Sequence, residues 1–561
     1  MADPQPLLSM PSYVPGTTLN DATRQLCGAP YLDADFANAV VREVVESERK
    51  AVPPSYGFDL DPVVRHCLRA RRLLLIRYAI VTALLVAGLC ANSVATVVWL
   101  GFCAVIVFVR SAAYKELPRA IRVAGWAAVA GLLFCFLGYL LLQFVAASYL
   151  SSFGVSRSRE TFVVDDGSEI FAGGLRTFII LAPFALAFAM FVTLFLSRRH
   201  AYGILTSELA PGIAPVVPRG FHPRVEWRLG VAAAMQRGNI CVQDINPYAG
   251  AGFLEHSWSF AITLRSAAGD DGRITLDTVA LNQRVHDAVI GLRDQRLSEG
   301  ERIPNIYVVP YVAADGERRG DDPLIDPQTR TPRTMASAET IQAIMGSPQG
   351  GLRHYLRAVI PANGKQIRTP DGRLVLPAQD SGIGVTAFIH LAAEGGMLYT
   401  EFVCTVMPQV KPLYQFVDNV RPERVATHAA ADTLRNFLRD NILSPVRLAR
   451  LGWDTLRLPS RMARSGRSAD EFRFYDYGAH FSVRELASER PTVKFMQVLD
   501  AEKYVKLLDR VVNETVLDHL GEQGVDTAEF RAAVAQVSIE NATFYGGQQS
   551  FGGRNTFNQR N

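Results

Sequence analysis

The chain has 561 residues, of which 49% are hydrophobic and only 20% charged, and its mean hydropathy of +0.10 is high for a protein living wholly in water. The 58 basic and 54 acidic residues leave a net charge of +4, which argues against a dedicated nucleic-acid binder, because neutralising many phosphates takes a large basic excess. Its 43 Gly and 30 Pro are ordinary for this length and exclude a collagen-like or low-complexity chain.

Residues 1–15 are proline-rich and have neither the basic n-region nor the apolar h-region of a signal peptide, so insertion is expected to depend on internal segments. Asp33 or Asp35 can cap a helix whose stripe of Phe36, Val40 and Val44 is apolar while Arg42, Glu43, Glu46 and Glu48 stay outside. Residues 1–60 therefore read as a cytoplasmic N-terminal segment with one amphipathic docking helix. After the Pro53-Pro54 break, Asp61-Pro62 has the form of an N-cap followed by proline at the first helical position.

Four apolar stretches, 73–91, 94–109, 123–150 and 178–196, each read as a transmembrane helix, so residues 61–200 are expected to form a four-helix anchor. Arg65, Arg69, Arg71 and Arg72 precede the first stretch, Arg110, Lys115, Arg119 and Arg122 separate the second from the third, and Arg198 and Arg199 follow the fourth. The opposite side has an uncharged turn at Asn92-Ser93 and a loop in which Glu160, Asp165, Asp166 and Glu169 outweigh Arg157, Arg159 and Arg176. The positive-inside rule then puts both termini in the cytoplasm of a bacterial inner membrane. Arg77 is the one charge within the spans and sits where a long side chain can snorkel to the headgroups. Ala79, Ala83, Ala87 and Ala91 repeat at i+4, as do Ala127 and Gly131, a spacing that lets helix backbones approach within the anchor or across a homo-oligomer seam.

Residues 201–537 alternate strand and helix patterns and read as a cytoplasmic α+β domain. Strands are expected at 239–242, 257–264, 305–312, 354–360, 384–391 and 397–406, the last two joined through Gly395-Gly396. Helices are expected at 276–297, 338–345, 423–440, 445–456, 501–520 and 527–536, and residues 314–333 read as a surface loop. No catalytic, cofactor or metal motif stands out: the seven cysteines have no CxxC spacing, and Gly364-Lys365 lacks the upstream glycine of a phosphate-binding loop. His354 and His390 lie on separate strands and could be neighbours. The clearest charge cluster is Arg447, Arg450, Arg457, Arg461, Arg464 and Arg467, which can face anionic lipid headgroups or a protein partner. Its helical phase is poor, because Val446 and Trp453 fall on the arginine side.

Gly238-Asn239-Ile240-Cys241-Val242, then Pro247-Tyr248-Ala249-Gly250-Ala251-Gly252 and Trp258-Ser259-Phe260, resemble a segment of uncharacterised actinobacterial polytopic membrane proteins. That resemblance implies a membrane location and no chemistry. Residues 538–561 differ in kind: Gly546, Gly547 and Phe551 recur six positions on as Gly552, Gly553 and Phe557. This Gly/Asn/Gln/Phe-rich tail resembles the amyloid-type signalling motifs that end bacterial cell-death effectors, which implies self-association by β-pairing. The expectation for the whole is a four-helix transmembrane anchor plus an α+β cytoplasmic domain. Its function would be non-enzymatic, as a docking platform or a stress or cell-death effector that binds a cytoplasmic protein. The alternatives are a tethered enzyme and a channel or transporter subunit.

Overall fold

The computed structural model describes residues 19–110, parts of 118–145, and 166–546 apart from several short stretches; for 166–183 and 538–546 it describes the backbone. Helix α1 (Asp21–Leu32) is capped by Asn20, whose side chain accepts from the Thr23 amide. Helix α2 (Ala34–Val40) is capped by Asp33, whose carboxylate accepts from the amides of Asp35 and Phe36, and it runs on as a π-turn over Val41–Glu46. The stripe of Phe36, Val40 and Val44 is buried. Next come α3 (Leu60–Ala91), α4 (Ser93–Val109), α5 (Asp166–Ser207) and α6 (Pro223–Gln236). The N-terminal segment is no separate unit, because Leu26, Phe36 and Val41 share one core with Val63 and Val64 of α3, Leu205 of α5 and Leu229 of α6. Arg228 is wholly buried in this core and donates to the carbonyls of Val44 (2.7 Å) and Lys50 (2.9 Å). Burial lowers its pKa to about 10, against the opposing pull of Glu48.

Among the described residues two helices are long and apolar enough to cross a membrane, α3 and the Phe184–Ser207 part of α5, where the sequence predicts four spans. The other two apolar stretches give shorter helices, the 17-residue α4 and Gly125–Tyr139. Seventeen residues rise about 25 Å, less than a ~30 Å hydrocarbon core. Asn92 alone breaks α3 from α4; it ends the first and caps the second, its side chain accepting from the Ala95 amide. Helices α3 and α5 meet through Val81, Leu85, Met190 and Leu194. A Cβ at Gly88 would stand 3.1 Å from Thr96 Oγ1 and 3.3 Å from Leu186 Cδ1, so glycine sets the close approach. The predicted small-residue row lies elsewhere: Ala79, Ala83 and Ala87 are exposed, Ala91 is half-buried, and Ala127 and Gly131 are exposed. Within the chain the packed face of α3 is that of Tyr78, Val81, Leu85 and Gly88, because that side faces α5.

The α+β domain is built on a six-stranded mixed sheet of β1 (Ile240–Gln243), β2 (Phe253–Thr263), β3 (Tyr307–Asp315), β5 (Leu352–Ile360), β8 (Gly384–Glu394) and β9 (Met397–Met407), in the order β1-β3-β5-β8-β9-β2. Only β1 and β3 pair in parallel. Two short ladders flank it: β4 (Glu317–Arg319) pairs with β10 (Phe474–Asp476), and β6 (Ile367–Arg368) with β7 (Leu374–Leu376). The stretch expected as a loop at 314–333 thus holds a strand, and it buries Ile325. The β8–β9 hairpin turns at Gly395 and Gly396, with φ of 62° and 81°, values open to glycine at little cost. Helices α7 (Thr278–Gly291), α8 (Ala338–Gly346), α9 (Val425–Glu471), α10 (Phe495–Glu522) and α11 (Ala528–Gly546) complete the domain. Leu281 and Val285 of α7 with Val505 and Leu508 of α10 close one sheet face over Leu356, Ile389 and Phe402. On the other face Tyr311, Tyr355 and Phe388 form a second cluster with Tyr248. There the buried Arg357 donates to the Pro54 carbonyl (3.0 Å) and lies 4.0 Å over the Tyr56 ring, binding the N-terminal segment to the sheet.

Candidate membrane-junction site

The two helices expected at 423–440 and 445–456 are one 47-residue helix, α9, continuous through Pro445 and Pro459. A proline inside a helix costs a hydrogen bond and clashes with the preceding turn; here the packing of α9 on α3, α4 and α5 outweighs that cost. Phe437 stands 6.2 Å from the Trp99 ring of α4 and 5.9 Å from the Phe191 ring of α5. Farther along, a Cβ at Gly452 would meet Leu75 of α3 at 3.8 Å. The side of α9 turned inward is mixed: Thr433, Asp440, Asn441 and Ser444 are buried, as are Val425, Ala429, Leu451 and Met462. Its outer face is also mixed, with Leu434 68%, Val446 65%, Trp453 54% and Leu456 79% exposed among the exposed Arg435, Arg439, Arg450, Arg457, Arg464 and Arg467. The poor phase seen in the sequence has this physical basis: arginines and large apolar side chains share the exposed side of α9.

Asp440 is the centre of those buried polar residues, its side chain 5% exposed, accepting from Arg198 Nη2 at 2.6 Å and Arg447 Nη1 at 3.0 Å. Arg198 also donates to Thr433 Oγ1 (3.2 Å). Of the predicted arginine cluster, Arg447 is thus held inside the fold and stands 5.9 Å over the Tyr78 ring. Arg461 bridges Glu46 (3.0 Å) and Asp454 (2.7 Å). Arg457 stacks on Trp453 at 3.8 Å. Arg450, Arg464 and Arg467 are exposed and form no ion pair among the described residues. The cluster therefore divides into fold-holding and outward-facing members. The sequence marks Arg198 only as a basic residue after the fourth apolar stretch and does not single out Asp440 or Tyr202; the Arg198–Asp440 contact joins positions 242 apart, a separation that leaves no local pattern.

Between α2, α3, α5 and α9 lies a cavity of about 840 Å³. Its polar lining includes Arg77, Arg439, Arg447 and Arg450 with Asp432 and Asp454, and its apolar lining includes Ile76, Ile80 and Leu196. Asp432 accepts the Tyr202 hydroxyl. Arg77 donates from Nη2 to the Tyr78 hydroxyl (3.3 Å), while its Nε is buried without a partner.

His354 and His390 are neighbours on β5 and β8, with His390 Nδ1 2.7 Å from the His354 carbonyl oxygen. Burial, with His390 alongside, pushes the His354 pKa down to about 3. Across from His390 on β9 stands Glu401, which accepts from the hydroxyls of Tyr248 (2.9 Å) and Tyr355 (3.4 Å). Gly546 is the last residue of α11, so the helix extends into the expected tail. Gly547, Phe551, Gly552, Gly553 and Phe557 lie outside the described residues.

A comparison with curated proteins and with solved structures finds no match. The family model of the AbeC-like domain matches residues 257–554, from within β2 through α9 and α11. The match leaves out β1, α6 and the apolar helices α3 to α5, but it includes the whole of the helix packed against them. Since the match spans just over half of the sequence, the chain belongs to the bacterial AbeC-like domain family.

Proposed function

We propose that the chain is a membrane-anchored, non-enzymatic protein with four spans and both termini in the cytoplasm, whose AbeC-like domain binds protein partners as a docking platform or a stress or cell-death effector. The observation that carries this reading is α9, which belongs to the AbeC-like domain yet packs against α3, α4 and α5. A partner on the domain would thereby act on the membrane helices through a rigid joint. The exposed Leu434, Val446, Trp453 and Leu456 of α9, interleaved with arginines, support contact with a lipid interface, and the one-sided distribution of arginine supports the orientation. The tail is proposed as the self-associating part, through Gly546, Gly547, Phe551, Gly552, Gly553 and Phe557.

The test uses the full-length chain in its membrane. Alkaline carbonate should leave it in the pellet, and reporters at Lys115 and after His200 should report cytoplasm while one at Asp165 reports the outside. A photo-crosslinker at Tyr399, which is half-exposed on β9, should give one reproducible protein adduct in the cell. Release by carbonate, or an external signal at His200, would reject the anchor; absence of any adduct would reject the docking surface. The set of Glu401, Tyr248, Tyr355 and His390 favours a second reading, a tethered enzyme with Glu401 as its base. Under that reading a turnover by the full chain would be abolished by Glu401→Gln with partner binding unchanged.

A further inference from the structure

We propose that the cavity between α2, α3, α5 and α9 binds a membrane phospholipid, its phosphodiester held by Arg77, Arg447 and Arg450 and its acyl chains leaving past Ile76, Ile80 and Leu196. The proposal rests on the membrane reading above and adds a specific ligand to it. The cavity, about 840 Å³, is in the range of small-molecule sites. Its lining combines these cations with apolar side chains, the pairing that a phospholipid's headgroup and chains require. Its carboxylates, Asp35 apart, are already engaged: Asp33 caps α2 and accepts from Tyr414, Asp432 accepts from Tyr202, and Asp454 accepts from Arg461. Asp440 takes up Arg198 and one nitrogen of Arg447. Arg77 and Arg450 are then left with no carboxylate among the described residues, and Arg77 has a buried, unbonded Nε. A planar guanidinium presents paired donors that match the two free oxygens of a phosphodiester, and burying an unbonded donor is costly. A phosphate in the cavity satisfies both requirements.

The experiment uses full-length protein, stripped of lipid in a phosphate-free detergent. Dihexanoyl-phosphatidylglycerol, kept below its micelle concentration, is titrated in and followed by native mass spectrometry and tryptophan fluorescence. A saturable single adduct is expected, with none from dihexanoylglycerol, which lacks the phosphate. Arg77→Gln and Arg450→Gln should each weaken binding at least ten-fold, and Arg464→Gln, outside the cavity, should leave it unchanged. Circular dichroism checks the folding of each variant; Arg450 is exposed, so Arg450→Gln decides the matter if Arg77→Gln does not fold. Equal binding by the folded variants, or by dihexanoylglycerol, overturns the proposal. Inorganic phosphate binding as tightly as the lipid would also overturn it and mark a site for a free anion. Release from membranes by carbonate would sink the anchor, while the titration in detergent is read independently of that result.

Discussion

His354 is a base kept where it cannot easily take a proton. It is 3% exposed on β5, neither ring nitrogen has a partner, and its folded pKa is about 3. The unfolded chain protonates the same side chain near 6.5. Between those values the unfolded state binds more protons, so the stability that His354 confers is complete above about pH 6.5 and is lost as the pH falls towards 3, at about 1.4 kcal/mol per unit. Thermal unfolding of the detergent-solubilised chain between pH 7 and 5 should fall more steeply for the wild type than for His354→Leu, and parallel slopes would refute this. Asp440 makes a different expectation. Removing it leaves Arg198 and Arg447 facing each other without their shared anion, and Asp440→Ala should destabilise the chain by about 3–5 kcal/mol. Asp454→Ala, at a carboxylate 30% exposed, should cost at most about 1 kcal/mol. A calorimetric comparison of the two variants checks the ranking.

At the scale of elements, Gly88 and Ala83 lie on opposite faces of α3 and predict opposite behaviour. Gly88→Leu would drive a side chain into Thr96 and Leu186 and should cost about 1–3 kcal/mol. Ala83→Leu, on the exposed face, should leave the monomer's stability within about 0.5 kcal/mol. A fall in oligomer mass for Ala83→Leu on light scattering would assign the alanine row to a seam between copies. The sheet was the most legible part of the sequence: the strand runs expected at 384–391 and 397–406 and the Gly395-Gly396 pair located β8, β9 and their turn to within three residues. Helix α9 was not legible. Pro445 reads locally as a breaker, and Val446 and Trp453 spoil the phase of a helix assumed to face a soluble core. Its continuity is decided by contacts with helices hundreds of residues earlier, which no local window contains.

The whole molecule is less divisible than its composition implies. The shifts in hydropathy near residues 60 and 200 are real, yet a single core joins Leu26 and Phe36 to Leu205, Leu229, Tyr414 and Met462 across both. Salt bridges repeat the pattern: Arg24 with Asp418, Glu48 with Arg224, and Arg65 with Glu226. A truncation beginning at Gly220 would strip α1, α2 and α3 from that core, leaving Leu229 and Tyr414 facing water. We therefore expect it to be unfolded or aggregated, and deletion of residues 1–60 from the otherwise complete chain to lower its melting temperature by 10 °C or more, roughly the equivalent of several kcal/mol. Unchanged melting after that deletion would contradict the shared core. The candidate site followed the same rule: its arginines could be read one by one, but which of them hold the fold and which face the cavity depends on Asp440 and Asp454 meeting them in space.

The unbroken length of α9 has a mechanical consequence. From Phe437, beside Trp99 and Phe191, to Glu471 near β10, the helix extends about 50 Å at 1.5 Å per residue. A rod of that length is a lever: a tilt of about 5° at its membrane end sweeps the other end through about 4 Å, larger than the N···O span of the hydrogen bonds in the three-residue β4–β10 ladder that receives it. Small rearrangements among apolar helices would reach that ladder magnified, and a load placed on it would return to the bilayer with its force multiplied and its displacement reduced.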